Sequence, residues 1–299
     1  MTMCFDIDDN LLFLPTKISI FKKVGADPAL ENEIRVSTHD FALIREQLGR
    51  PGKYEQYETR KTPETSSFRT FSDAGDGPGG RNYILEDVKE MIEGGTFDAN
   101  VGPAWKSFVY AMQSEEAAKH VCFATARSHH PQEVLEMLEY LVSKGKISRT
   151  PLQKNLHCVG GAENPSAEKA KVFREMLAKL EAQPVPNTWP KIRKPSGTGK
   201  AAYHLWTFSD DDWGNYEKTR DVIAEDMKAG KYGNIKVMLF FTGLNNPKHA
   251  PEAIVLDGQG GWRPIERNEE QDVARMLKVQ GFDCDELLRF DPRANAPGH

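Results

Sequence analysis

Cysteine is scarce and scattered. Cys4, Cys122, Cys158 and Cys284 are spread over 299 residues with no C-x-x-C pair, which argues against a disulfide framework and a cysteine-based zinc site. Cys4, Cys122 and Cys158 lie in apolar runs and are expected as buried, reduced thiols. No apolar stretch approaches the roughly 20 residues of a membrane-spanning helix, so no membrane partner is expected. A basic surplus is also missing: 39 Lys and Arg against 44 Asp and Glu leave a net charge of -5. Nucleic acid is therefore a disfavoured partner, with only a local basic groove to support it. The opening residues, MTMCFDIDDN, carry acids from the sixth position and no basic stretch, unlike a secretory signal, and a reducing cytoplasm is the expected setting.

What is present is ordinary globular material, 39% hydrophobic and 28% charged, with five Trp and fifteen Phe. Short apolar runs at 3–5, 121–124, 156–159, 205–208 and 235–241 have the character of buried strands. Helical spacing follows two of them. Val134, Leu135, Leu138, Leu141 and Val142 share one face of 131–143, and Val172, Phe173, Met176, Leu177 and Leu180 share one face of 166–180, where Ser166 is the expected N-cap. Strand followed by helix, repeated, predicts a parallel α/β fold. Residues 15–115 differ in texture: a strand at 17–21, a strand-to-helix passage at 34–48, a Gly/Pro/Asp-rich loop at 72–81, and helices near 83–93 and 103–113. This stretch is expected to be an inserted cap module. The Pro-rich segment 184–200 carries Lys191, Arg193, Lys194 and Lys200 and is expected to be a loop. Its SGTGK ending is no P-loop, because Lys194 stands where the first glycine belongs and Ala201 follows the lysine.

Chemistry concentrates at strand ends. The first strand runs into Asp6, Ile7, Asp8 and Asp9, and acids at i and i+2 after a buried strand stand where a parallel sheet opens to ligand. Crowded carboxylates repel one another unless a cation is present, so a hard divalent metal is their natural partner; a solvated acidic turn is the plain alternative. The fourth strand ends in Asp210, Asp211 and Asp212, followed by Asn215. These acids either converge on the first cluster, if the two strands are neighbours, or cap the next helix. Thr125 ends the second strand. Lys169 lies early in a helix, where a positive charge is disfavoured and points to an anionic partner; Lys171 competes with it. Arg127, His129 and His130 either reach a substrate or form a solvated turn before Pro131, and 66–73 (SSFRTFSD) either lines a cap or forms an ordinary strand.

In this order, FDIDDNLL, the TAR at Thr125, Lys169 and SDDDWGN resemble the four motifs of the haloacid dehalogenase superfamily, a match that spans residues 3 to about 242. Receiver domains share an acid pair, a Thr and a Lys, but carry no closing acid triplet. The resemblance implies a three-layer α/β/α sandwich with a parallel sheet, a core of 1–14 and 116–299, and a cap at 15–115. It further implies a Mg²⁺-dependent phosphatase acting on a small phosphorylated substrate, with Asp6 as nucleophile, Asp8 as general acid/base, and Thr125 and Lys169 on the phosphoryl oxygens. Mg²⁺ would be held by Asp6, the backbone carbonyl of Asp8, and Asp211 or, as second choice, Asp210; Asn215, four residues on, favours Asp211. Asn10 departs from the Thr or Val usual at its position. Phosphoryl transfer to another acceptor, action at a nucleic-acid end, and a non-catalytic binder of the same fold stay open. Oligomeric state is not legible.

Overall fold

The computed structural model describes residues 1–23, 33–60, 66–71, 81–244, 246, 248–267, 269 and 271. Cys284 and most of the loop at 72–81 lie outside the described residues. In chain order the elements are β1 (Thr2–Phe5), β2 (Lys17–Lys22), β3 (Glu33–Ser37), α1 (Thr38–Ile44), β4 (Tyr57–Glu58), α2 (Tyr83–Glu93), α3 (Trp105–Ala111), α4 (Glu115–Ala118), β5 (Val121–Thr125), α5 (Pro131–Ser143) and β6 (Leu156–Cys158). Then follow α6 (Pro165–Glu181), β7 (Ile192–Arg193), β8 (Lys200–Ala201), β9 (His204–Asp210), α7 (Trp213–Lys228), β10 (Ile235–Phe241), β11 (Glu252–Leu256) and β12 (Trp262–Pro264).

Seven strands form the central sheet in the order β12-β11-β10-β9-β1-β5-β6. The five from β10 to β6 run parallel, as expected from strand-helix alternation, and β11 and β12 extend the sheet antiparallel. From β1 the chain moves outward through β5 and β6, then returns to lay β9 on the other side of β1. That reversal makes the β1/β9 junction a topological switch point, where an open parallel sheet leaves a crevice at its carboxyl edge.

Side chains alternate across the sheet. Phe5, Val121 and Phe123 enter one apolar cluster with Ile84, Val88, Phe108, Val134 and Leu138, so α2, α3 and α5 cover that face. Cys4, Cys122, Trp206 and Phe208 enter the other, covered by α6 and α7 through Phe173, Leu177, Tyr216 and Ile223. A mostly parallel sheet with helices on both faces is compatible with the expected three-layer sandwich. Phe108 meets the rings of Phe5 and Phe123 at 5.9 and 5.3 Å, and burial of one such ring contributes about 1.5–3 kcal/mol.

The stretch 15–115 divides into two kinds of structure. Strands β3-β2-β4 form a separate small antiparallel sheet, with α1 following β3. Helices α2 and α3 instead bury their apolar faces in the central cluster. Ile84, Val88 and Met91, at helical spacing, are the residues that make α2 part of the main body.

Candidate active site

Register brings the two acid clusters together. Phe5 pairs with Ser209 in the β1/β9 ladder, and the Asp6 amide donates to the Ser209 carbonyl at 3.0 Å. The next positions outward are Asp6 and Asp210. Strand β9 continues through Asp210 rather than stopping at Phe208, so the buried Asp210 is still held by the ladder to Phe241. Between the two carboxylates lies the Lys169 ammonium, wholly buried, which donates to Asp6 Oδ1 at 2.7 Å and to Asp210 Oδ2 at 2.8 Å. Helix α6, with Pro165 at its start, delivers this lysine. Its N-cap is Asn164, not Ser166; the Ser166 hydroxyl donates to Asn215 Oδ1 at 2.6 Å instead. Lys171 points to the surface and pairs with Glu168.

Charge at this junction is short on the positive side. Burial pushes the Asp6 carboxyl well above the carboxylate range; Lys169 opposes this, while Asp210 and Asp8 add to it. Burial raises Asp210 against the pull of Lys169. Asp211 is pushed well up by burial and by Asp9, Asp210 and Asp6. For Lys169, burial works against its charge and is outweighed by Asp210 and Asp6. One cation bonded to two of the three acids, Asp6 and Asp210, leaves room for a second. Carboxylate oxygens of Asp6, Asp210 and Asp211 lie within 4.8 Å of one another. An all-oxygen donor set of that size suits a hard divalent cation. The donors therefore fit the implied metal, with both Asp211 and Asp210 in reach.

The turn after β1 sorts the remaining acids. Asp9 adopts a left-handed backbone, φ 54, a conformation that Asp tolerates better than most residues. Asn10, the departure from the family pattern, is wholly buried and ties three strand ends together. Its amide donates to the carbonyl of Asp6 and to the carbonyl and hydroxyl of Ser209, and its oxygen accepts from Thr242. Asn10 is thus a structural clasp behind Asp6. Asp8 turns the other way, and both its oxygens accept from Arg127, Nε at 2.8 Å and Nη2 at 2.7 Å. Its backbone carbonyl accepts from the Asn10 backbone N–H at 2.6 Å.

Arg127 corrects the reading of 127–130 as a solvated turn. Its side chain is fully buried, also donates to Thr16 Oγ1 at 2.7 Å, and lies 4.5 Å over the Phe71 ring. Thr16 in turn donates to Asp87 of α2. His129 is buried nearby. His130 caps α5 in a capping box with Glu133. Thr125 is buried at the end of β5, and its hydroxyl accepts the Arg127 amide at 3.2 Å. Within 66–73, Phe68 and Phe71 stack edge to face, while Arg69 pairs with Glu33. Asp212 caps α7 through the Asn215 amide and forms a two-pronged ion pair with Arg45, just after α1, at 2.6 and 3.0 Å. The acid triplet therefore does both things the sequence allows: Asp212 caps, while Asp210 and Asp211 converge on Asp6.

A cavity of about 520 Å³ opens over Asp9 and Asp211. Its walls come from Phe13 and Leu14, from Thr38, His39 and Leu43 of α1, from Met91 of α2, and from the loop after β10. That loop lies close because Gly243 has no side chain; a Cβ there would stand 2.4 Å from the Asp211 carbonyl oxygen. The basic segment around Lys191 to Lys200 is elsewhere. It forms the β7/β8 hairpin, whose Ile192 packs on Leu205 near the start of β9 and whose Arg193 carbonyl accepts from Lys236 near the start of β10. That is the amino edge of the sheet, opposite Asp6 and Asp210.

A pH dependence follows from the buried acids. Burial pushes Asp87 up to about 6, against the hydrogen bond from Thr16 and the charge of Arg127. A carboxyl whose folded pKa is raised binds its proton more tightly in the native state, so its contribution to stability is greatest in acid and is lost as pH rises through about 6. His129, pulled down to about 4 by burial and by Arg127, acts in the opposite sense below pH 6, so the effect of Asp87 reads out as a difference between variants. From pH 5 to 8, Asp87→Asn is expected to gain stability relative to wild type by about 1.4 kcal/mol, the one pH unit between 5 and the raised value near 6. Urea titrations across that range, in chelator, check this; a difference that is constant or falls with pH contradicts it.

Among the described residues, no helix is long and apolar enough to cross a membrane. Compared with family models, with curated proteins and with solved structures, the chain has no match.

Proposed function

We propose that this chain is a Mg²⁺-dependent phosphatase of the haloacid dehalogenase type, which hydrolyses a phosphomonoester through an aspartyl-phosphate on Asp6. The observation that carries the reading is the meeting of Asp6 with Asp210 and Asp211 around the buried Lys169 at the β1/β9 switch point. An acidic turn or a set of helix caps does not require a buried lysine between two strand-end carboxylates.

A carboxylate oxygen of Asp6 attacks phosphorus, the bond from phosphorus to the alcohol oxygen breaks, and Asp8 gives its proton to that oxygen. Water then attacks the same phosphorus and yields a proton to Asp8. Inorganic phosphate leaves, and the Asp6 carboxylate is restored. Lys169 keeps Asp6 oriented and offsets charge that spreads over the phosphoryl oxygens, with the Thr125 hydroxyl as a further contact. Mg²⁺ held by Asp6, Asp210 and Asp211 would neutralise the charge gathered there. The alcohol part of the ester would occupy the cavity over Asp9 and Asp211. The segment from β2 to α1 supplies one wall of that cavity and, as a cap, selects the substrate. Action at nucleic-acid ends loses its one support, because the basic hairpin stands at the other edge of the sheet.

A panel of phosphorylated metabolites and nucleotides, with and without Mg²⁺, tests the reading: metal-dependent phosphate release supports it, and a folded, metal-binding protein that turns over none of them is a binder. Metal binding has its own check. A ligand that binds only the folded state adds about 2.7 kcal/mol at a hundredfold excess over its Kd, so Mg²⁺ should raise the melting temperature of wild type, and beryllofluoride should raise it further only when Mg²⁺ is present. Asp211→Asn is expected to lose most of the Mg²⁺-dependent shift. An unchanged shift in that variant would remove Asp211 from the metal site.

A further inference from the structure

The two acids of the first motif are held by different cations. Lys169 takes Asp6 together with Asp210. Arg127 takes Asp8, through two parallel hydrogen bonds from one edge of its guanidinium, the geometry that fixes a carboxylate in both position and plane. The arginine is itself immobilised: it is wholly buried, lies over the Phe71 ring, and is anchored to Thr16, which continues to Asp87 on α2. Isolating a buried guanidinium costs several kcal/mol unless its partners are well placed, so a lone helix-packing role for this side chain is poor physics.

We infer that Arg127 is a positioning residue for Asp8, holding its carboxyl apart from the Asp6, Asp210 and Asp211 cluster so that it serves the leaving group rather than the metal. Without it, Asp8 stands two residues from Asp6 with no cation of its own and is drawn toward the charge at the metal site. The inference rests on the phosphatase reading.

A leaving-group comparison separates a positioning role from a structural one. A nitrophenolate departs without a proton, whereas an alkoxide needs one. Arg127→Met is therefore expected to lose kcat on an alkyl phosphate by at least ~10-fold more than on 4-nitrophenyl phosphate, out of the ~10²- to 10⁴-fold that general acid help supplies. Arg127→Lys, which restores one hydrogen bond, should recover part of that gap, and Asp8→Asn should abolish the difference between arginine and methionine at 127. Equal losses on both esters, or no recovery by lysine, overturn the inference while leaving the phosphatase reading intact. Wild-type protein that hydrolyses neither ester overturns both. If Arg127→Met does not fold, Arg127→Lys alone decides, since a shorter donor that misplaces Asp8 must still cost the alkyl ester more than the aryl one.

Discussion

Asp6→Asn is expected to abolish turnover, with a loss on the order of 10⁴-fold or more, because an amide oxygen cannot form the covalent intermediate that divides the reaction into two steps. The fold should survive this change. An asparagine at position 6 keeps an oxygen that accepts from Lys169, and the backbone contacts of Asp6 with Asn10 and Ser209 do not involve the carboxyl group. Retained circular dichroism together with lost phosphate release is the expected pair of results. Asp8→Asn gives a contrast, since removal of acid/base help slows both half-reactions by ~10² to 10⁴-fold without removing the nucleophile. Wild-type rates in Asp6→Asn would refute the covalent assignment.

Lys169→Met carries the second large effect, and it falls on stability as well as activity. The ammonium is wholly buried between Asp6 and Asp210, and removing one partner of a buried ionic group typically costs 3–5 kcal/mol because the remaining charges are left uncompensated. A methionine fills most of the volume, so the loss is electrostatic rather than a cavity. Two accompanying results identify that origin: added Mg²⁺ should restore part of the lost stability, and the deficit should shrink in acid as the carboxyls take protons. Chemical denaturation of the variant with and without Mg²⁺ makes the test. A variant within about 1 kcal/mol of wild type at pH 8 without metal would mean that Lys169 is not the cation on which this junction depends.

Much of the α/β architecture was legible because its signals are local. Runs such as IKVMLFF at β10 and PQEVLEMLEYLVS at α5 carry their period in consecutive residues, and Pro131 marks a helix start that the chain obeys, whereas α6 starts at Pro165, ahead of the expected cap Ser166. Asp6 and Asp210 to Asp212 were legible as strand-end acids for the same reason. Lys169 was separable from Lys171 only by its position early in a helix, where a cation without a partner is disfavoured. Less local features escaped. Strand β11 turns into β12 with no helix between them, so the expectation built on strand-helix alternation did not extend to them. The helices α2 and α3 look from sequence like any amphipathic pair, and whether they cover a cap or the central sheet is decided by which apolar face they meet.

By itself the sequence determined the element types, the parallel strand-helix repeat and the acidic strand ends, since all of these depend on side-chain period and on residues adjacent in the chain. Tertiary structure decided the rest. It set β1 beside β9, so that acids some two hundred positions apart share one lysine, and it made Asn10 a clasp among β1, β9 and β10 rather than a contact to ligand. It also buried Arg127 against Asp8 and Phe71. Whether a charged or amide side chain lies in solvent, in a clasp or at a site depends on its desolvation and on partners from distant segments, and neither quantity exists until the strands have paired.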